Sequence, residues 1–176
     1  MSKKVAIWVC VIGVLGIAGY VAAGPYITVH QMKAAAEARD GRALSEHIEF
    51  PSVRQSLKEQ MNALIMKKMA EDQSLKKNPF AALGAAFAGT IAERMVDLYV
   101  TPAGITQLMA GEKPQMQKMN AESASSPRLL SGADMSYESF DKFVVKINGQ
   151  SGNAGEFVLR RTGLDWKLTE IILPLE

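Results

Sequence analysis

The chain predicts an α+β fold: an N-terminal transmembrane helix, then several helices packed on a small antiparallel sheet of about three C-terminal strands. Three observations carry this expectation. Residues 5–23 form an apolar run without a charge. From Pro25 to Gly111 apolar residues recur every three to four positions, the period of a helix with one buried face. After Phe143 the period drops to two, the mark of half-buried strands. The domain reading follows directly: an anchor over residues 1–24 and one exported domain over residues 25–176, with a flexible loop at residues 112–134.

Nineteen residues of helix at about 1.5 Å each span ~28 Å, close to the ~30 Å of a hydrocarbon core. Secretory apolar regions are usually shorter, about 7–15 residues, so the run is read as an uncleaved signal-anchor. Val21-Ala22-Ala23 also offers small residues where a signal peptidase would cut, and that alternative stays open. Lys3 and Lys4 precede the run, which puts the N-terminus in the cytoplasm and the rest outside it. The localisation expected is therefore the inner membrane, single-pass, with the C-terminal domain periplasmic.

Pro25 suits a first helical turn, and the Ala-rich stretch to Ala38 has nothing to break it, so the membrane helix can bend at Gly24-Pro25 and continue outward. Asp40 is placed to cap a short helix with Leu44 and Ile48 facing inward. Ser52 and Gln55 have capping-box spacing. Behind them Val53, Leu57, Met61, Leu64 and Ile65 define an amphipathic helix to about Ala70. Asn78-Pro79 restarts the chain into a helix whose apolar stripe is Phe80, Leu83, Phe87, Ile91, Met95 and Leu98. In it Gly84, Ala85, Ala88 and Gly89 would let another backbone come close. Its uncharged part, residues 79–92, is too short to span a bilayer, so it reads as a core helix. Thr101-Pro102 begins a last short helix, closed by Gly111. Strands then follow at Phe143/Val145/Ile147, Phe157/Leu159 and Trp166/Leu168, with glycine-containing turns between them.

Composition narrows the chemistry. The net charge of +2 resides in Lys3 and Lys4, so the domain from Gly24 onward balances 18 basic against 18 acidic residues. That is no basis for nucleic-acid binding, which needs a basic patch. The basic cluster at residues 67–77 is interrupted by Glu71 and Asp72 and reads as a solvated helix end. The only cysteine, Cys10, lies in the anchor, which leaves the domain without disulfide, thiol nucleophile or thiolate metal site. His30 and His47 stand apart from any second ligand at metal spacing. Gly84 to Thr90 outlines a phosphate loop but lacks its lysine and the preceding strand. Glu93 and Asp97 share one helix face beside Arg94 and read as a solvated stripe. Arg160 and Arg161 must point to opposite faces of a strand, so they cannot clamp one anion. Trp166 reads as core. No metal, no cofactor and no catalytic set is expected.

Four stretches, PYITVHQMKAAAEARDGRALSEHIEFPSVRQSLKEQM, VTPAGITQLMAG, ESFDKFVVKI and GLDWKLTEIILP, together with the single anchor, resemble a proteobacterial family of membrane-anchored envelope proteins of unknown function, the 2939 family. The resemblance implies a shared architecture and carries over no functional residue. The last hairpin is also similar to that of cone-shaped NTF2-like domains. The function expected is a non-catalytic interaction module held to the lipid bilayer through residues 5–23, with another envelope protein as partner. The alternative is a domain binding a small molecule or lipid in an apolar cavity, with Tyr99, Phe143 and Trp166 as candidates to line it.

Overall fold

A computed structural model of the chain describes residues 3–71, 80–109, 133–148 and 154–173, and within residues 3–18 only part of the side chains. The expected loop at 112–134, the restart at Asn78-Pro79, Gly111 and the turn at Asn148-Gly149 and Gly152 lie wholly or largely outside the described residues.

Helix α1 (Lys3–Glu37) runs unbroken through Pro25. Its outer half is a core element: Pro25, Thr28, Val29 and Ala35 are buried. Among the described residues no helix is long and apolar enough to cross a membrane. The run at residues 5–23 is helical as part of α1, but some of its side chains lie outside the described set, and the transmembrane reading rests on the sequence. The C-terminus of α1 is closed by Arg39, whose φ of 54° is left-handed. The N–H of Asp40 then returns to Ala35 O (2.8 Å) and that of Arg39 to Ala36 O (3.1 Å), the pair of bonds that a left-handed residue after a helix permits.

Asp40 caps α2 (Gly41–Glu46) as its position suggests, its Oδ1 accepting from Arg42 N at 3.1 Å and Ala43 N at 3.0 Å. Helix α3 (Phe50–Glu71) begins earlier than expected. The Val53 N–H already bonds Glu49 O, so Ser52 sits inside the first turn. Gln55 pairs with Glu59 instead (2.6 Å), and the Ser52/Gln55 capping box does not form. Helices α4 (Ala81–Tyr99) and α5 (Pro102–Met109) follow, and Thr101 Oγ1 accepts from Gly104 N as an N-cap at 3.0 Å.

The sheet has four strands, not about three: β1 (Asp134–Ser139), β2 (Lys142–Asn148), β3 (Ala154–Thr162) and β4 (Asp165–Ile172), antiparallel in the order β1-β2-β3-β4. The extra strand is β1, an exposed edge without apolar alternation, whose pairing is set by β2 rather than by its own pattern. The other three strands coincide with the period-two segments. Phe143, Val145, Leu159 and Trp166 face Val29 of α1, and Leu168 joins Ala35, Leu44, Ile48 and Val53. The opposite face carries the in-register ion pair Lys146–Glu156 (3.5 Å) and two pairs offset from register, Glu138–Lys142 (2.7 Å) and Arg160–Glu170 (3.2 Å).

β4 does not present a bare edge. Leu168 N–H donates to His47 O and Glu49 N–H to Leu168 O, both at 2.8 Å, so residues 47–49 form a short parallel bridge. Farther along, Gln60 donates to Ile171 O (2.7 Å) and accepts from Leu173 N (2.9 Å). These bonds hold α3 on the sheet.

Candidate functional site

Two places depart from what a water-surrounded core would produce. The first is the junction between α1 and the sheet. Pro25 has no N–H for the Val21 carbonyl, which leaves the helix weakened at this turn. The turn is gripped from the side. A β-carbon at Gly24 would lie only 2.8 Å from Cδ1 and Nε1 of Trp166, so the indole rests directly on the helix backbone. The Tyr137 hydroxyl donates to Ala22 O at 2.8 Å. The Tyr26 ring stands edge-on to Phe143 at 4.8 Å, and Tyr137 stands edge-on to both Phe143 (5.0 Å) and Trp166 (5.8 Å). Burial, and then the neighbouring Tyr26, raise the pKa of the Tyr137 hydroxyl, with Arg161 pulling the other way. The phenol is therefore held neutral, as a donor to the carbonyl requires.

Of the three residues expected to line a cavity, the structure brings Phe143 and Trp166 together, 6.4 Å between ring centroids, in packed core. Trp166 is 3% exposed, which bears out the core reading. Tyr99 lies elsewhere, half-buried at the C-terminus of α4. Sequence reasoning missed Tyr26 and Tyr137, which complete the cluster. Their positions, one turn beyond the apolar run and on the overlooked strand, were the available signal.

The second place is α4. Its expected core stripe is turned outward: Phe80, Leu83, Phe87, Ile91 and Leu98 are exposed, Phe87 at 62% and Leu98 at 71%. What α4 buries is Gly89, Ala92 and Val96. Part of the small-residue expectation holds, because a β-carbon at Gly89 would meet Asn62 Oδ1 at 3.3 Å, while Gly84 has open space beside it. Polar bonds flank this small apolar face and tie α4 to α3. Asn62 donates to Glu93 Oε1 (3.3 Å), Lys58 pairs with Asp97 (2.7 Å), and Arg54 reaches Asp97 (3.9 Å) and Val100 O (3.1 Å). Glu93 and Asp97 remain exposed, the Asp97 side chain at 52%, so the solvated stripe is present and is also bonded to Asn62 and Lys58 of α3.

The remaining candidates are quiet. Arg160 pairs with Glu170 and Arg161 donates to Gly163 O (2.8 Å), on the opposite faces that the strand period demands. An open depression of about 540 Å³ lies between α3 and β3–β4, lined by Pro51, Ser52, Gln55, Glu59, Arg160 and Glu170. It is polar and shallow, unlike the apolar cavity of the ligand-binding alternative. Among the described residues no group of three or more His, Cys, Asp or Glu side chains is placed to hold a metal ion.

The family described as "Protein of unknown function (DUF2939)" matches residues 14–108, more than half of the chain. The match begins within the apolar run and ends in α5, so it covers the gripped turn and the α3–α4 pair. No curated protein and no solved structure matches.

Proposed function

The chain belongs to the DUF2939 family of proteins of unknown function, and on that premise we propose a membrane-tethered, non-catalytic interaction module of the bacterial cell envelope. Residues 5–23 span the inner membrane, the N-terminus is cytoplasmic, and the α+β domain stands in the periplasm, where it engages another envelope protein. The observation that carries this reading is α1: one helix whose outer half is domain core, while Trp8, Ile12 and Tyr20 at its start are exposed. Apolar side chains bared to water for several turns have no benefit there, and a bilayer supplies the missing surroundings.

A reporter active only outside the cytoplasm, fused after Glu176, is expected to work. Activity only from a cytoplasmic reporter reverses the orientation.

A further inference from the structure

The grip on α1 also decides which end of the sheet faces the start of that helix. Ala22 and Gly24 meet Tyr137 and Trp166. Farther out, Val29 shares a cluster with Phe143, Val145 and Leu159, and Ala35 shares one with Leu168, Leu44 and Ile48. Along β4, then, Leu168 belongs with Ala35 and Trp166 with Gly24. The strand descends toward the helix start, and Leu164 in the β3–β4 turn lies one step farther in that direction. The β1–β2 turn stands beside it, because the Arg161 N–H donates to Asp141 O at 3.0 Å. The Asn148–Ala154 pair marks the opposite end of the sheet. Both turns bare a large apolar side chain: Phe140 is 81% exposed and Leu164 is 70% exposed. Apolar residues scattered singly over a surface are ordinary, but these two share one end of the domain.

We propose that Phe140 and Leu164 enter the headgroup–acyl boundary of the bilayer, so that the domain is seated on the membrane by its two turns through apolar insertion. The inference rests on the tethering reading, and three features carry it. The first is depth. With residues 5–23 in the bilayer, the contacts at Ala22 and Gly24 bring Tyr137 and Trp166 to the membrane surface. Tyrosine and tryptophan are the residues enriched at that level. Phe140 and Leu164 belong to the turns that follow and precede them. A soluble partner would have to slip between domain and bilayer to reach them. The second is preorganisation. The grip already holds both turns against α1, and the tether supplies a high local concentration, so two side chains suffice. The third is charge. Asp141, Arg161 and Asp165 flank the tips with mixed signs, Asp141 accepting from Ser139 Oγ (2.6 Å) and Arg161 donating to Gly163 O. Nothing in that set demands anionic lipid, so a zwitterionic surface is sufficient.

The test uses the full chain with Cys10→Ser and one new cysteine at a time: Phe140→Cys, Leu164→Cys and, as a control, Glu59→Cys. Glu59 is exposed on α3 beside Gln60, which binds Ile171 O at the far end of β4. Each cysteine carries a nitroxide, and each chain is reconstituted into vesicles of phosphatidylcholine. Collision rates with oxygen, which concentrates in lipid, are compared with those of a water-soluble nickel chelate. At positions 140 and 164 oxygen should exceed nickel several-fold relative to position 59, with or without added phosphatidylglycerol. Nickel access equal to that at 59 overturns the proposal in favour of water-exposed turns. Immersion only when phosphatidylglycerol is present overturns apolar insertion in favour of an electrostatic contact. Low access to both reagents overturns it in favour of a protein contact. A carbonate wash of the same vesicles separates the two readings. A chain retained with nickel-accessible labels sinks the seating of the turns alone, whereas a chain washed off sinks the tether and the seating with it.

Discussion

Gly24 fixes how closely α1 approaches the sheet. Any β-carbon there intrudes on the Trp166 indole, a rigid ring already packed against Phe143 and Tyr137. Overpacking of this kind costs about 1–3 kcal/mol, which outweighs the ~0.5–1 kcal/mol that alanine gains over glycine in a helix. Gly84, also helical, has nothing within 4 Å of its would-be β-carbon, so there only the helical gain applies. We therefore expect one substitution to act with two signs: Gly24→Ala lowers the melting midpoint in detergent and Gly84→Ala raises it. If Gly24→Ala melts at or above the parent, the indole does not rest on that backbone. At this scale the sequence was informative about types and silent about partners. Trp166, Phe143, Leu44, Ile48 and the Asp40 cap follow from local spacing. The bond from Tyr137 to Ala22 O joins residues 115 positions apart, and no local pattern encodes it.

Among the elements, the end of α1 makes a direct test of backbone physics. Arg39 occupies a left-handed conformation that costs a side-chain-bearing residue roughly 1 kcal/mol and glycine very little. Gly41, the glycine nearby, serves another purpose: its missing β-carbon admits the Thr106 backbone of α5. Arg39→Gly is expected to stabilise the domain by about 1 kcal/mol, read by urea unfolding in detergent. A loss instead would mean that the Arg39 side chain contributes more than its backbone costs. β2, β3 and β4 were legible because the residues they turn toward the helices (Phe143/Val145, Phe157/Leu159, Trp166/Leu168) are spaced by two, even though Val144, Val158 and Thr169 on the other face are buried as well. β1 was not, because an edge strand exposed along its length has no buried side to write a pattern. α4 shows the opposite failure. Its stripe was legible and its direction was not, since periodicity says which residues share a face and not what that face meets.

For the whole molecule, α1 binds the two halves of the reading together. Cleavage after Ala23 would cut the helix beside Gly24 and detach the carbonyl that Tyr137 holds. The protein is expected to remain in the membrane pellet through carbonate and high-salt washes, with the mass of the uncleaved chain by mass spectrometry. A soluble product beginning at Gly24 would show that the apolar run is an export signal. Proline inside a helix is where such a rod ordinarily pivots. Here the pivot is splinted by three aromatic side chains, and the consequence is mechanical. A domain on a flexible leash sweeps a volume and finds its partner by searching. With residues 5–23 in a bilayer, as proposed, this one would be mounted at a set height and heading, since residues 24–37 rise only about 21 Å along the helix. So mounted it would not swing toward a distant target, and a twist or piston movement of the helix below Pro25 would pass into the sheet through Trp166 and Tyr137.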